Sequence, residues 1–278
     1  MSIRIDAHQH FWKFNQVRDG WINNTMAVIQ CDFMPGDLKP ILDKYQFDGC
    51  IAVQADQSEE ENEFLLTLSK NNNFIKGVIG WVDLRAANVD ERFENYSQFK
   101  KMKGFRHVLQ GETDRLFMLN PQFMNGINAL RKYNYTYDIL VYTDQLIYIE
   151  QLVKAFPNQR FVIDHIAKPD IKNKKINGWS KDIKALSVYN NVWCKVSGMV
   201  TEADWQNWKQ ADFDPYLDII FDAFGTKRLM FGSDWPVCDI AGGYEKMIQI
   251  VINYTSKLSV HEQDCFWGLN AADFYNLN

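Results

Sequence analysis

The chain has no stretch approaching the ~18 consecutive apolar residues of a membrane helix. It also lacks a basic surplus: 30 Lys and Arg stand against 35 Asp and Glu, a formal net charge of −5. That balance argues against a main task of gripping nucleic acid or an anionic membrane. The five cysteines (Cys31, Cys50, Cys194, Cys238 and Cys265) form an odd set with no Cys-x-x-Cys pair. They suit neither a disulfide framework nor a zinc finger, and they fit a reducing cytosol. Charges at Arg4 and Asp6 fall where a signal peptide needs apolar residues, so the expected location is cytoplasmic. There is no Gly-x-Ser-x-Gly elbow, no phosphate loop with Gly-Lys-Ser/Thr, no His-Glu-x-x-His and no Gly-rich dinucleotide signature.

What is there is a chain of 278 residues, 46% of them hydrophobic, long enough to bury a core without disulfides or metals. Eight short apolar runs recur: 3–7, 49–55, 76–82, 103–109, 136–142, 160–165, 192–197 and 228–233. Their lengths suit strands buried on both faces. Helix candidates lie between them at 59–69, 121–131, 145–156, 179–186, 213–224 and 243–254. The longer first connection, 11–48, reads as an active-site loop followed by one helix. This alternation predicts an α/β fold, a distorted TIM (β/α)8 barrel formed by one domain over 1–278. A doubly wound open sheet has the same periodicity.

Barrel enzymes carry their chemistry at the C-terminal strand ends. The first run leads into His8-Gln9-His10, and i, i+2 spacing turns both imidazoles to one side. Such a pair serves as a metal half-site or as two polarising donors, and also occurs as satisfied core histidines. The sixth run ends in Asp164-His165-Ile166-Ala167-Lys168. With His165 turned into the pocket, Asp164 is expected to face away, and Lys168 is a loop charge or a substrate contact. In the eighth run Asp234 stands where strand becomes loop, as a turn aspartate or as a base for water, with Trp235 as a dry wall. On the fourth run only one of Arg106 and His107 can enter a regular barrel. An arginine there would hold an oxygen on which charge develops. Cys194 and Lys195 alternate in the same way, which leaves open which of them faces inward.

Taken together, Asp6-Ala7-His8-Gln9-His10-Phe11-Trp12, Val53-Gln54-Ala55, Gly104-Phe105-Arg106-His107, Asp164-His165-Ile166-Ala167-Lys168-Pro169 and Gly232-Ser233-Asp234-Trp235-Pro236 resemble the amidohydrolase superfamily. The resemblance runs from Arg4 to about Tyr275. It is to the amidohydrolase-2 branch that contains sugar-lactone hydrolases of the L-fuconolactonase and L-rhamnonolactonase kind. It implies hydrolysis of a sugar-acid lactone to the open hydroxy acid. Asp234 would activate water while His8, His10, His165 and Arg106 polarise the carbonyl. His107, Trp12, Gln54, Lys168 and Trp235 would contact substrate. The chemistry needs no cofactor in principle, although His8, His10, His165 and Asp234 could hold one divalent ion such as zinc. A lysine-bridged pair of metals is not expected, because the end of the fourth run offers Arg106 and His107. The expected partner is a small sugar lactone, with no nucleic acid and no membrane, and a homo-oligomer is allowed. The alternatives are a metal-dependent decarboxylase of a small acidic substrate, as in another amidohydrolase-2 branch, and a sugar-acid binder without turnover.

Overall fold

The computed structural model describes residues 2–277. Eight strands run β1 (Ile5–Gln9), β2 (Gly49–Val53), β3 (Ile75–Gly80), β4 (Met102–His107), β5 (Thr136–Ile139), β6 (Phe161–Ile163), β7 (Val192–Val196) and β8 (Leu229–Phe231). Each pairs in parallel with the next, in chain order. At the rim the two ends of the sheet meet. The N–H of Asp234 donates to His8 O at 2.8 Å, and the N–H of His10 donates to Trp235 O at 2.7 Å. The sheet is therefore a nearly closed barrel, as the alternation predicts.

Helices α1 (Pro35–Lys44), α2 (Glu59–Asn71), α3 (Val89–Ser97), α4 (Pro121–Leu130), α5 (Leu146–Ala155), α6 (Asn177–Ser187), α7 (Gln210–Phe224) and α8 (Tyr244–Thr255) follow their strands. Local chemistry starts several of them. Ser58 caps α2 by accepting the N–H of Glu61, and Asn120 followed by Pro121 opens α4. Helix α3 was not among the sequence-based expectations. It is short, and its apolar stripe is only Val89, Phe93 and Tyr96. Two short helices, α9 (Val260–Asp264) and α10 (Asn270–Phe274), complete the chain. Among the described residues, no helix is long and apolar enough to cross a membrane.

Strand alternation sorts the side chains. Ile5, Ala7, Ile51, Val53, Val162 and Met230 pack inside the barrel, while Phe105, Tyr137, Phe161 and Cys194 face the helices. Phe274 and Tyr275 close the end of the barrel where the strands begin. They are fixed there by Arg160, whose guanidinium donates to the carbonyls of Asp273 and Phe274. The opposite end is left for loops.

Candidate active site

His8 and His10 both reach the barrel interior because β1 is not regular. Asp6 points outward to Tyr244 of α8, and Gln9 points outward to Cys50. Ile5 and Ala7 are inside. The pairing with β2 slips between Asp6 and Gln9, and this bulge resets the alternation so that His8 and His10 also turn in. The i, i+2 relation holds for the pair, but the inward side is set by the bulge.

At β6 and β8 the backbone leaves the strand abruptly. His165, Ile166, Ala167 and Lys168 all have positive φ, from 47° to 59°, and Asp234 has φ 57°. Left-handed backbone at non-glycine residues is strained and gathers at functional sites. Both strands end earlier than their apolar runs suggest, at Ile163 and Phe231, because these turns begin there. Two glycines make room for the rings. A Cβ on Gly198 would lie 2.5 Å from Nδ1 of His165, and one on Gly232 would lie 2.6 Å from Cβ of His8.

The result is a carboxylate set among three imidazoles. Asp234 Oδ1 lies 3.4 Å from Nε2 of His10 and 3.8 Å from Nε2 of both His8 and His165. All four residues are buried. Burial works against the Asp234 charge, but His165, His10 and His8 outweigh it and hold the carboxyl well below its usual range. Burial pushes His165 down to about 4 and His8 well below its ordinary value. At neutral pH Asp234 is thus ionised, and the His8 and His165 rings are neutral. His10 Nδ1 lies 2.8 Å from Val53 O, so Nδ1 carries a proton and donates to that carbonyl.

On β4, Arg106 is the residue that enters the barrel. It donates to Asp164 Oδ2 at 3.1 Å and to the carbonyl of Gln54. His107 faces the helices. It stacks on Phe117, accepts from Trp81 Nε1 and meets Glu112 at 2.6 Å. His107, expected to contact substrate, is therefore turned by strand parity to the helix side and does not line the cavity. Gln54 and Trp235 also lie behind the wall. Gln54 supports Arg106, and Trp235 packs against Phe11 and Phe33. Asp164 is corrected as well: it is fully buried inside, beside His8, Arg106 and Lys195. It continues the inward side set by Val162, and the left-handed turn after it brings His165 in too. Burial tends to raise Asp164, but Lys195, His8 and Arg106 hold it well below its usual range.

Above the cluster lies a cavity of about 410 Å³, lined by His10, Arg106, His165 and Asp234 at its base. Trp12, Trp21, Leu140 and Val237 supply an apolar wall, and Gln57, Gln110 and Lys168 a polar one. The loop after β1 is pinned across its neck. Trp12 and Phe33 exchange backbone hydrogen bonds of 3.0 and 2.9 Å, and Trp12 Nε1 donates to Cys31 O. Lys168 pairs with Glu202 at 3.2 Å.

A family model described as amidohydrolase matches residues 5–277. The chain belongs to the amidohydrolase family. It is 37% identical to an L-fucono-1,5-lactonase of Burkholderia multivorans, across 99% of this chain and 97% of the relative. It is 32% identical to an L-fucono-1,5-lactonase of Burkholderia ambifaria, across 100% of this chain and 97% of the relative. A crystal structure of a Burkholderia multivorans amidohydrolase with bound zinc superimposes with a TM-score of 0.97 at 37% identity, covering 100% of both chains.

In this amidohydrolase the cluster can be tested for a metal on its own distances. Donors around tetrahedral zinc at about 2.0–2.1 Å stand roughly 3.3 Å apart. His8 Nε2 to His10 Nε2 is 3.2 Å, and Asp234 Oδ1 is 3.4 and 3.8 Å from those atoms. His8, His10 and Asp234, with His165 beside them, therefore fit one divalent ion. His8, Asp164 and His165 form a second convergent group, but His8 meets Asp164 through Nδ1, where the Lys195 ammonium already stands. Lys195 and Asp138 were not singled out for the site. A lysine inside the apolar run Val192-Trp193-Cys194-Lys195-Val196 was the available signal.

Proposed function

We propose that this amidohydrolase hydrolyses the lactone of a small sugar acid, an aldonolactone like L-fuconolactone, to the open hydroxy acid. The observation that carries the reading is the ionised Asp234 carboxylate, within 3.4 to 3.8 Å of three imidazole nitrogens under a cavity. Two relatives aligned along nearly their whole length are L-fucono-1,5-lactonases, which supports the substrate class.

Asp234 accepts a proton from the water that attacks the lactone carbonyl. Charge then gathers on the carbonyl oxygen, and donors beside the cavity stabilise it. Arg106 suits this task. Its guanidinium is fixed by Asp164 and Gln54, and the residue lines the base of the cavity. His165, just past the end of β6, adds a second contact at the same mouth of the barrel. When the tetrahedral centre collapses, the ring C–O bond breaks and protonated Asp234 returns its proton to the leaving alkoxide. A divalent ion held by His8, His10, His165 and Asp234 would polarise an ester carbonyl and acidify water.

The walls suit a hydroxylated ring with one apolar edge. Gln57 Oε1 accepts the N–H of Val108, so its amide NH2 is free for the cavity. Gln110 lines the same wall. Trp12 and Trp21 offer faces for the ring.

Proton release from a panel of aldonolactones, using chelator-treated protein with and without added zinc, tests the reading. Rapid hydrolysis of a deoxy-sugar lactone is expected. Asp234→Asn should lose turnover by about 10²–10⁴-fold while still binding the hydroxy acid. Silence across the panel in both conditions, or undiminished turnover by the variant, sinks the assignment.

A further inference from the structure

The cavity above the histidines does not end at its mouth. Arg18 and Asp56 line it, and both also line a second cavity of about 380 Å³ beside it, so the two form one cleft. The first cavity holds about 410 Å³. A hexonolactone has the bulk of roughly six waters, about 180 Å³ at about 30 Å³ each. A single sugar lactone therefore leaves more than half of the first cavity, and all of the second, to another group.

Arg18, at the junction, is a donor held in place. Its Nε and Nη2 meet the two carboxylate oxygens of Asp19 at 2.8 and 2.9 Å, and Nη2 also donates to Lys13 O. Asp19 is itself buried and accepts the N–H of Asn15 at 2.8 Å. This paired bond fixes the plane of the guanidinium. Its remaining nitrogen, Nη1, makes no hydrogen bond among the described residues.

The charges around Arg18 select the kind of ligand. The bond to Asp19, followed by the charges of Asp19, Glu61 and Asp56, holds the guanidinium above its ordinary range. Glu60 lines the second cavity as well, and Lys13 is the one further cation among its lining residues. A phosphate or carboxylate entering there would face this surplus of acids, whereas neutral hydroxyls would find donors and acceptors without repulsion. Aromatic faces complete the setting: Phe64 lines the second cavity, and Trp21, 46% exposed, lines the first. Hydroxyl-bonding groups beside an aromatic face suit a sugar ring.

We propose that Arg18 centres an outer subsite that binds a second, neutral sugar unit carried by the lactone. The proposal rests on the lactonase reading and extends it from single sugar-acid lactones to those of disaccharide acids. Arg18 acts there by hydrogen-bonding hydroxyls of the outer ring, away from the reacting carbonyl.

Steady-state hydrolysis tests it, using the single-sugar lactone that turns over fastest and the same lactone carrying a glucosyl unit on each of its hydroxyls in turn. At least one glucosylated lactone should show kcat/KM about tenfold above its parent. Arg18→Gln should bring that ratio back toward one, and so should Arg18→Lys, which keeps the charge and loses the paired bond to Asp19. The wild-type comparison needs no variant, so it decides even where a substituted loop does not fold. Glucosylated lactones that are all equal to or worse than their parent overturn the proposal, as does a folded Arg18→Gln with an unchanged ratio. Silence from every single-sugar and glucosylated lactone overturns the lactonase reading and the proposal with it, which keeps the two failures apart.

Discussion

Gly198 and His165 are matched: the glycine has φ 58°, and a methyl group added to it would stand 2.5 Å from Nδ1 of the imidazole. The ring is held on that side by Ser197 Oγ at 2.9 Å, so it has nowhere to retreat. Gly198→Ala should therefore displace His165. A misplacement of this size is expected to lower kcat/KM by about 10²-fold. Kinetics corrected for folded fraction, beside a thermal melt, check this. Wild-type kcat/KM in the variant would show that His165 is not needed where it stands.

His107 gives the opposite expectation. It faces the helices, accepts from Trp81 Nε1 at 3.2 Å and pairs with Glu112 at 2.6 Å. His107→Phe keeps the ring volume and leaves the Trp81 N–H unpaired. A stability loss of about 1–3 kcal/mol is expected, with KM nearly unchanged. A large rise in KM without loss of stability would place His107 in contact with substrate after all.

Glu61 makes stability depend on pH. It is buried on α2, accepts the N–H of Ala55 at 3.0 Å, and burial raises its pKa from 4.5 to about 7. The folded state therefore holds a proton that the unfolded state has released between those values. Stability falls as pH rises through that window, and the loss is complete above it. Glu61→Gln keeps an acceptor for Ala55 and removes the ionisation. Urea melts at about pH 5 and about pH 8 should show the variant gaining on the wild type by on the order of 1–3 kcal/mol at the higher pH. A difference that does not change with pH would contradict the shift.

Gln46 is exposed and adopts φ 57° just past the end of α1. A side chain in left-handed backbone costs about 1–2 kcal/mol, offset in part by the greater freedom glycine has when unfolded. Gln46→Gly should stabilise the protein by about 0.5–1 kcal/mol in denaturant melts. A loss of stability would mean that the Gln46 side chain makes up for its backbone.

The barrel, and the polar residues that gather at its mouth, were legible in the sequence because both rest on local rules. Apolar runs of strand length, separated by helices, specify a β/α alternation. His8, His10, His165 and Asp234 were found by reading the residues at strand ends. These signals need only a few neighbouring residues and a fixed period. The alternation also limited Arg106 and His107 to one inward residue, though not which. Inside and outside were decided by the tertiary structure. A bulge in β1 turned His8 and His10 inward together, and a left-handed turn after β6 let Asp164 and His165 share the interior. Parity counted along a regular strand cannot foresee either, since each resets the count. Nor could it find the Lys195–His8 contact, which joins residues 187 positions apart. Only closure of the barrel brings β7 and β1 within reach, and burial then makes every charge between them find a partner.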